Sequence, residues 1–142
     1  MSQSILVPHD GSSHAQNALE YALETFPGAR IVLFHAIDPF EVTAEAEGQV
    51  SPLTQSWLEQ RQATATELFR DALEDVNDAT ATIETDTAVG SPPQTILAYA
   101  EDHDVDGIVM GGRGRSSAVD LRLGSAAEVV VRRADVPVTV VR

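Results

Sequence analysis

Two short segments gather the residue types that hold an anion. One is Pro8-His9-Asp10-Gly11-Ser12; the other is Gly111-Gly112-Arg113-Gly114-Arg115-Ser116-Ser117, closed by Gly124-Ser125. Glycine lets backbone N–H groups approach phosphate oxygens with no Cβ in the way. A helix starting at Gly124-Ser125 would aim its free N–H groups at the same anion, and the Ser125 hydroxyl would add a donor. Charge singles out the same region. Residues 1–110 hold 19 acids against 3 arginines, a net −16. Residues 111–133 hold Arg113, Arg115, Arg122, Arg132 and Arg133 against Asp120 and Glu128, a net +3. An island of positive charge on an acidic chain suggests a place for an anion. Arg132 and Arg133 are explained as helix-end arginines; Arg113 and Arg115, set among glycines and serines, are not. Asp10 has two readings: a ligand contact, or an Asx turn capping the next helix.

Several chemistries are excluded or disfavoured. The chain has no lysine, so it can form no lysine Schiff base and no Walker A loop. It has no cysteine, hence no disulfide, thiolate nucleophile or zinc-thiolate site. His9, His14, His35 and His103 lack metal-motif spacing, and His35 reads as buried in a strand. Asp10, Ser12 and His14 are triad residue types, but close neighbours on a turn rarely take triad geometry. The net charge of −13 argues against nucleic-acid binding, which needs phosphate neutralisation. It is read here as adaptation to high salt, where acidic groups favour solubility.

These segments need a scaffold. The 142 residues fit one domain spanning 1–142, and 43 % hydrophobic content fits a folded core. No apolar run approaches the roughly 18 residues of a membrane span. The start lacks the basic and apolar regions of a signal peptide, so a cytoplasmic location is expected. Ser4-Ile5-Leu6-Val7 reads as a buried strand. Ala15, Ala18, Leu19, Ala22, Leu23 and Phe26 form the stripe of a helix, capped by Ser12 or Ser13 and stopped at Pro27-Gly28. Residues 31–36 read as a second strand and 38–51 as an acidic loop. A helix is expected from about Pro52 to Asn77, with Trp57 either in the core or beside a cleft. Thr82 to Val89 alternates as a third strand. Pro92-Pro93 opens a helix bearing Ile96 and Leu97. Gly107 to Met110 is a fourth strand, a helix runs from about Ser125 to Arg133, and Val136 to Val141 is the last strand. The alternation predicts an α/β fold, a doubly wound parallel sheet with helices on both faces. Ligands in such folds sit beyond the strands' C-terminal ends, where both candidate segments fall.

The spacing Gly111-x2-Gly114-x9-Gly124-Ser125 resembles the ATP-binding signature of the universal stress protein family, G-x2-G-x9-G-[ST]. The opening Ile5-Leu6-Val7-Pro8-His9-Asp10-Gly11-Ser12, the strand Phe34-His35-Ala36-Ile37 and the closing Val136-Pro137-Val138-Thr139-Val140-Val141 resemble the family's patterns too. The resemblance covers the whole chain. It implies an adenine nucleotide hydrolase-like fold with five strands in the order 3-2-1-4-5, the loops after strands 1 and 4 lying side by side. It implies that Asp10 reaches the ribose or a bound metal, and that Pro8 and His9 shape the nucleoside pocket. Ala36 would line the adenine pocket and Met110 and Gly111 the ribose. Arg113, Gly114, Gly124, Ser125 and Ala126 would surround the phosphates. Positions 9 and 126 depart from the family's usual residues.

The implied ligand is ATP, or AMP or ADP, with Mg2+ or Mn2+ as an accompanying cation. The implied role is a nucleotide-binding stress-response or regulatory protein. The alternatives are a slow ATPase or phosphotransfer enzyme and a nucleotide-free dimeric scaffold. Phosphoryl transfer needs metal ligands and a positioned base; Asp10, two arginines and no lysine favour binding over turnover. Val136 to Val141 would be an apolar edge strand, which pairing with its twin in a homodimer would cover.

Overall fold

Alternation along the strands divides the core in two. Ile5, Val7, Ile31, Leu33 and Val109 face one way, with Ala18, Leu19, Ala22, Leu23, Ala65, Phe69 and Ala72 packed on them. Leu6, Val32, Phe34, Ile108 and Met110 face the other, covered by Ile96, Tyr99, Ala100, Ala127 and Val130. Successive strand residues point to opposite faces, so strands buried on both sides read as unbroken apolar runs. The computed structural model describes residues 3–40, 51, 53–74, 76, 81–113 and 123–142.

The elements run β1 (Ser4–Pro8), α1 (Ser13–Thr25), β2 (Arg30–Ile37), α2 (Gln55–Glu74), β3 (Thr82–Val89), α3 (Pro92–Asp102), β4 (Gly107–Gly111), α4 (Ser125–Arg133) and β5 (Val138–Val141). The sheet order is β3-β2-β1-β4-β5 and every pairing is parallel. Chain order reverses between β2 and β4 on either side of β1, so the loops leaving β1 and β4 share one edge. Register fixes this: Leu6 pairs with Val32 on one side and Ile108 on the other.

Three local differences from the sequence reading have clear causes. Helix α2 begins at Gln55 because Thr54 Oγ1 accepts from the Trp57 N–H at 3.2 Å, a side-chain N-cap. Strand β5 begins at Val138; Pro137 has no N–H to give the ladder, though its carbonyl accepts from Ile108 N–H at 2.9 Å. His35 is only partly buried. The expected end of α2 at Asn77 and most of the 38–51 loop lie outside the described residues. Trp57 is in the core, 3 % exposed, with the Arg61 guanidinium 5.9 Å over its ring.

Candidate functional site

A cleft of about 490 Å³ opens beyond the C-terminal ends of β1, β2 and β4. That is the size of a small-molecule site. Of the residues singled out in the sequence, Pro8, His9, Asp10, Ala36, Met110, Gly111, Arg113, Gly124, Ser125 and Ala126 all line it. Gly114, Arg115, Ser116 and Ser117 lie outside the described residues. Ala15, Phe34, His35, Asp38, Pro92, Ile96 and Ala127 also line it. Asp38 begins a segment that reads as loop, and nothing in its sequence setting marks it as a site residue. Pro92 and Ile96 belong to a helix that reads as scaffold.

The turn after β1 is braced by side chains. Ser12 caps α1, its hydroxyl accepting from Ala15 N–H at 3.1 Å. Asp10 Oδ1 accepts from Ser12 N–H at 2.9 Å, an Asx turn. Gly11 takes φ +87°, a left-handed conformation that disfavours a Cβ. Asp10 thus forms the Asx turn and also lines the cleft.

His9 is a buried hub, 5 % exposed. Its N–H donates to Phe34 O at 2.7 Å, and its carbonyl accepts from His35 Nδ1–H at 2.8 Å. Gly11 N–H donates to its Nδ1 at 3.0 Å, which makes Nδ1 the lone-pair nitrogen. Nε2 then carries the proton and donates to Gln16 Oε1 at 2.9 Å. Burial pushes the imidazole below its ordinary pKa, with the Gln16 bond and the Asp10 charge pulling the other way.

The second half of the cleft is pinned at its base. Gly112 N–H donates to Val141 O at 2.9 Å, and Gly112 O accepts from Gly124 N–H at 2.6 Å. The Gly124 amide is thus spent on Gly112, while Gly124 itself still lines the cleft. The donors left are those of the first turn of α4, residues 125–127, which line the cleft. An α-helix leaves its first N–H groups without intrahelical partners, and the N-cap residue of α4, Gly124, has no side chain to cap them. Arg113 also lines the cleft.

The other helix start that lines the cleft is chemically different. Helix α3 starts with Pro92-Pro93, which carry no N–H, so this end offers an apolar wall with Ile96. The lining therefore combines amide donors of α4 and the Arg113 cation with apolar surface from α3. That polarity suits a flat apolar group joined to an anionic one. Asp10 and Asp38 both border it. Among the described residues no group of three or more His, Asp or Glu side chains could hold a metal ion by itself.

The universal stress protein family matches the chain over residues 1–142. The chain belongs to this family. It is 32 % identical to a universal stress protein of Thermus aquaticus, with the full length of both chains covered. Its fold is similar to that of protein MJ0577 of Methanocaldococcus jannaschii, with a TM-score of 0.80 at 29 % identity, covering 99 % of this chain and 96 % of the other. UspA of Lactobacillus plantarum gives 0.79 at 29 % identity, covering 99 % and 97 %. The five-stranded 3-2-1-4-5 sheet is thus the family's adenine nucleotide hydrolase-like fold. More distant family structures have been solved with cAMP, with dAMP (from Archaeoglobus fulgidus) and with AMP (from Arabidopsis thaliana).

Proposed function

We propose that this protein is an adenine-nucleotide-binding regulator of a stress response that works as a homodimer, with ATP, ADP or AMP seated in the cleft. One observation carries the reading: the first turn of α4, whose N-cap Gly124 has no side chain, lines the same cleft as Arg113 and as the start of α3, which is made of two prolines. Phosphates go to the amides of residues 125–127 and to Arg113, where the helix dipole also favours negative charge. The base goes to the apolar end, against Pro92, Ile96 and Ala36. Asp10 borders the ribose between them, Met110 and Gly111 form the floor, and Pro8 and His9 shape the nucleoside wall. The distant relatives that hold AMP, dAMP and cAMP support an adenine nucleotide.

A cation fits this donor set only in company with the nucleotide. Mg2+ is commonly held by one or two carboxylates together with substrate phosphates, and Asp10 is the side chain placed to contribute. The ion would neutralise phosphate charge; the residues described here bind and orient. The dimer is proposed across β5, whose residues are all partly exposed and uncharged. The opposite edge, β3, carries exposed Glu84 and Asp86. The acidic surface is proposed as an adaptation to high salt.

Ser125→Pro tests the assignment. Proline is tolerated at the first helical position, and Gly124 already has the extended backbone (φ −64°, ψ 162°) that a following proline requires. The variant loses one amide donor and one hydroxyl from the phosphate end. By calorimetric titration it should bind ATP and AMP about tenfold more weakly or worse, with an unfolding midpoint within about 2 °C of wild type. Undiminished affinity would sink the phosphate assignment. Ser125→Ala separates the hydroxyl's share from the amide's.

A further inference from the structure

We infer that Gln16 is a positioning residue for the nucleotide site, holding His9 in the ring tautomer whose Nδ1 braces the Gly11 amide and so the Asp10 turn. The inference rests on the nucleotide reading of the cleft. Gln16 lies on α1 and is not part of the cleft wall. Its side-chain amide uses both ends. Oε1 accepts from His9 Nε2–H at 2.9 Å, and Nε2 donates to Ala72 O at 2.9 Å in the last turns of α2. The Ala72 carbonyl accepts only, so it fixes which way the amide points. The amide in turn presents an oxygen to His9 and favours the proton on Nε2. Nδ1 is then a lone pair, which the Gly11 N–H meets at 3.0 Å.

The alternative tautomer would set two donors face to face at that distance, leaving the Gly11 amide unpaired. Gly11 is the left-handed residue of the turn, flanked by Asp10 and Ser12. Its loosening would be felt first by the Asp10 carboxylate. The His9 backbone is tied independently, to Phe34 and His35 across β2. A fault at Gln16 therefore reaches the cleft through the ring and the turn after it, and reaches α2 through Ala72. A purely structural Gln16, tying α1 to α2 through Ala72, would lower stability and leave affinity alone.

A double-mutant cycle with AMP as the probe separates these roles. Gln16→Leu should weaken AMP binding about three- to tenfold. His9→Asn sets its own baseline, since it keeps an acceptor near Gly11 but cannot reach Gln16. In that background Gln16→Leu should change affinity less than about twofold. Equal losses in both backgrounds, or no loss in the wild-type background, would overturn the proposal; Gln16→Met serves if the leucine variant does not fold. At pH 8, 15N NMR of the wild-type protein should show His9 protonated at Nε2 and bare at Nδ1, and the reverse would also overturn it. If the wild type binds neither AMP nor ATP, the nucleotide reading falls by itself. The brace is then judged by that tautomer and by Gly11 amide exchange. Faster exchange in Gln16→Leu supports it, and unchanged exchange refutes it.

Discussion

A methyl group built on Gly111 would lie 2.8 Å from the carbonyl carbon of His14 and 2.9 Å from its oxygen. Those atoms are backbone in the first turn of α1 and cannot rotate away. Gly111→Ala should therefore destabilise the fold by about 1–3 kcal/mol, measured by urea unfolding. In the sequence this glycine reads as part of a phosphate motif; in the structure it is where strand β4 and helix α1 touch. The motif spacing was legible, but the reason for its first glycine was not, because the helix it meets lies almost a hundred residues earlier in the chain. His35 was misread for a similar reason. Its place in an apolar run suggests burial, yet it stands at the strand's C-terminal end, where the sheet opens into the cleft. Tyr99 offers a separate test. Its hydroxyl donates to Asp86 Oδ2 at 2.8 Å, its ring packs on Phe34 at 4.8 Å, and His103 stacks on it at 3.8 Å. Burial, then the bond to Asp86, push the phenol up to about 12. The folded state thus keeps a proton that the unfolded chain releases near pH 10. Its contribution is complete below that pH and is lost as pH rises toward 12. Tyr99→Phe should flatten that part of a stability-against-pH curve, read by thermal unfolding.

The elements were the most legible level, because unbroken apolar runs and helical stripes mark them directly. Their order across the sheet was not readable from pattern. Nothing in Gly107-Ile108-Val109-Met110 says that it pairs with Leu6 rather than with β3, and only the family resemblance implied it. The contrast between the two helix starts is visible only because the fold brings α3 and α4 to one cleft. Strand β5 yields a prediction at this scale. Ile108 N–H donates to Pro137 O and Gly112 N–H to Val141 O, so the odd-numbered residues bond inward to β4. With a period of two, Val138 and Val140 point their backbone groups outward. Val140→Pro removes an outward donor and spares the inner ladder. It should turn the proposed dimer into a folded monomer, seen by light scattering with an unchanged far-ultraviolet circular dichroism spectrum. A dimer that persists would place the interface elsewhere.

At the scale of the whole molecule, charge dominates. A net −13 on 142 residues opposes compaction through self-repulsion. Raising salt from 0.1 to 1 M shortens the screening length from about 10 Å to about 3 Å. The thermal unfolding midpoint should therefore climb with KCl over that range; a flat response would count against salt adaptation. The same repulsion bears on the site, since a nucleotide adds negative charge to a molecule rich in it, and added salt lightens that burden while weakening Arg113. The sheet's two unlike borders have a further consequence. A sheet receptive on both sides could add copies without end and grow into fibres. In the proposed assembly, exposed Glu84 and Asp86 disfavour pairing at the β3 border, and the uncharged β5 border takes the neighbour. Pairing it with itself about a two-fold axis uses it up. If the proposed dimer forms, assembly through the sheet has a ceiling of ten strands, however concentrated the protein becomes.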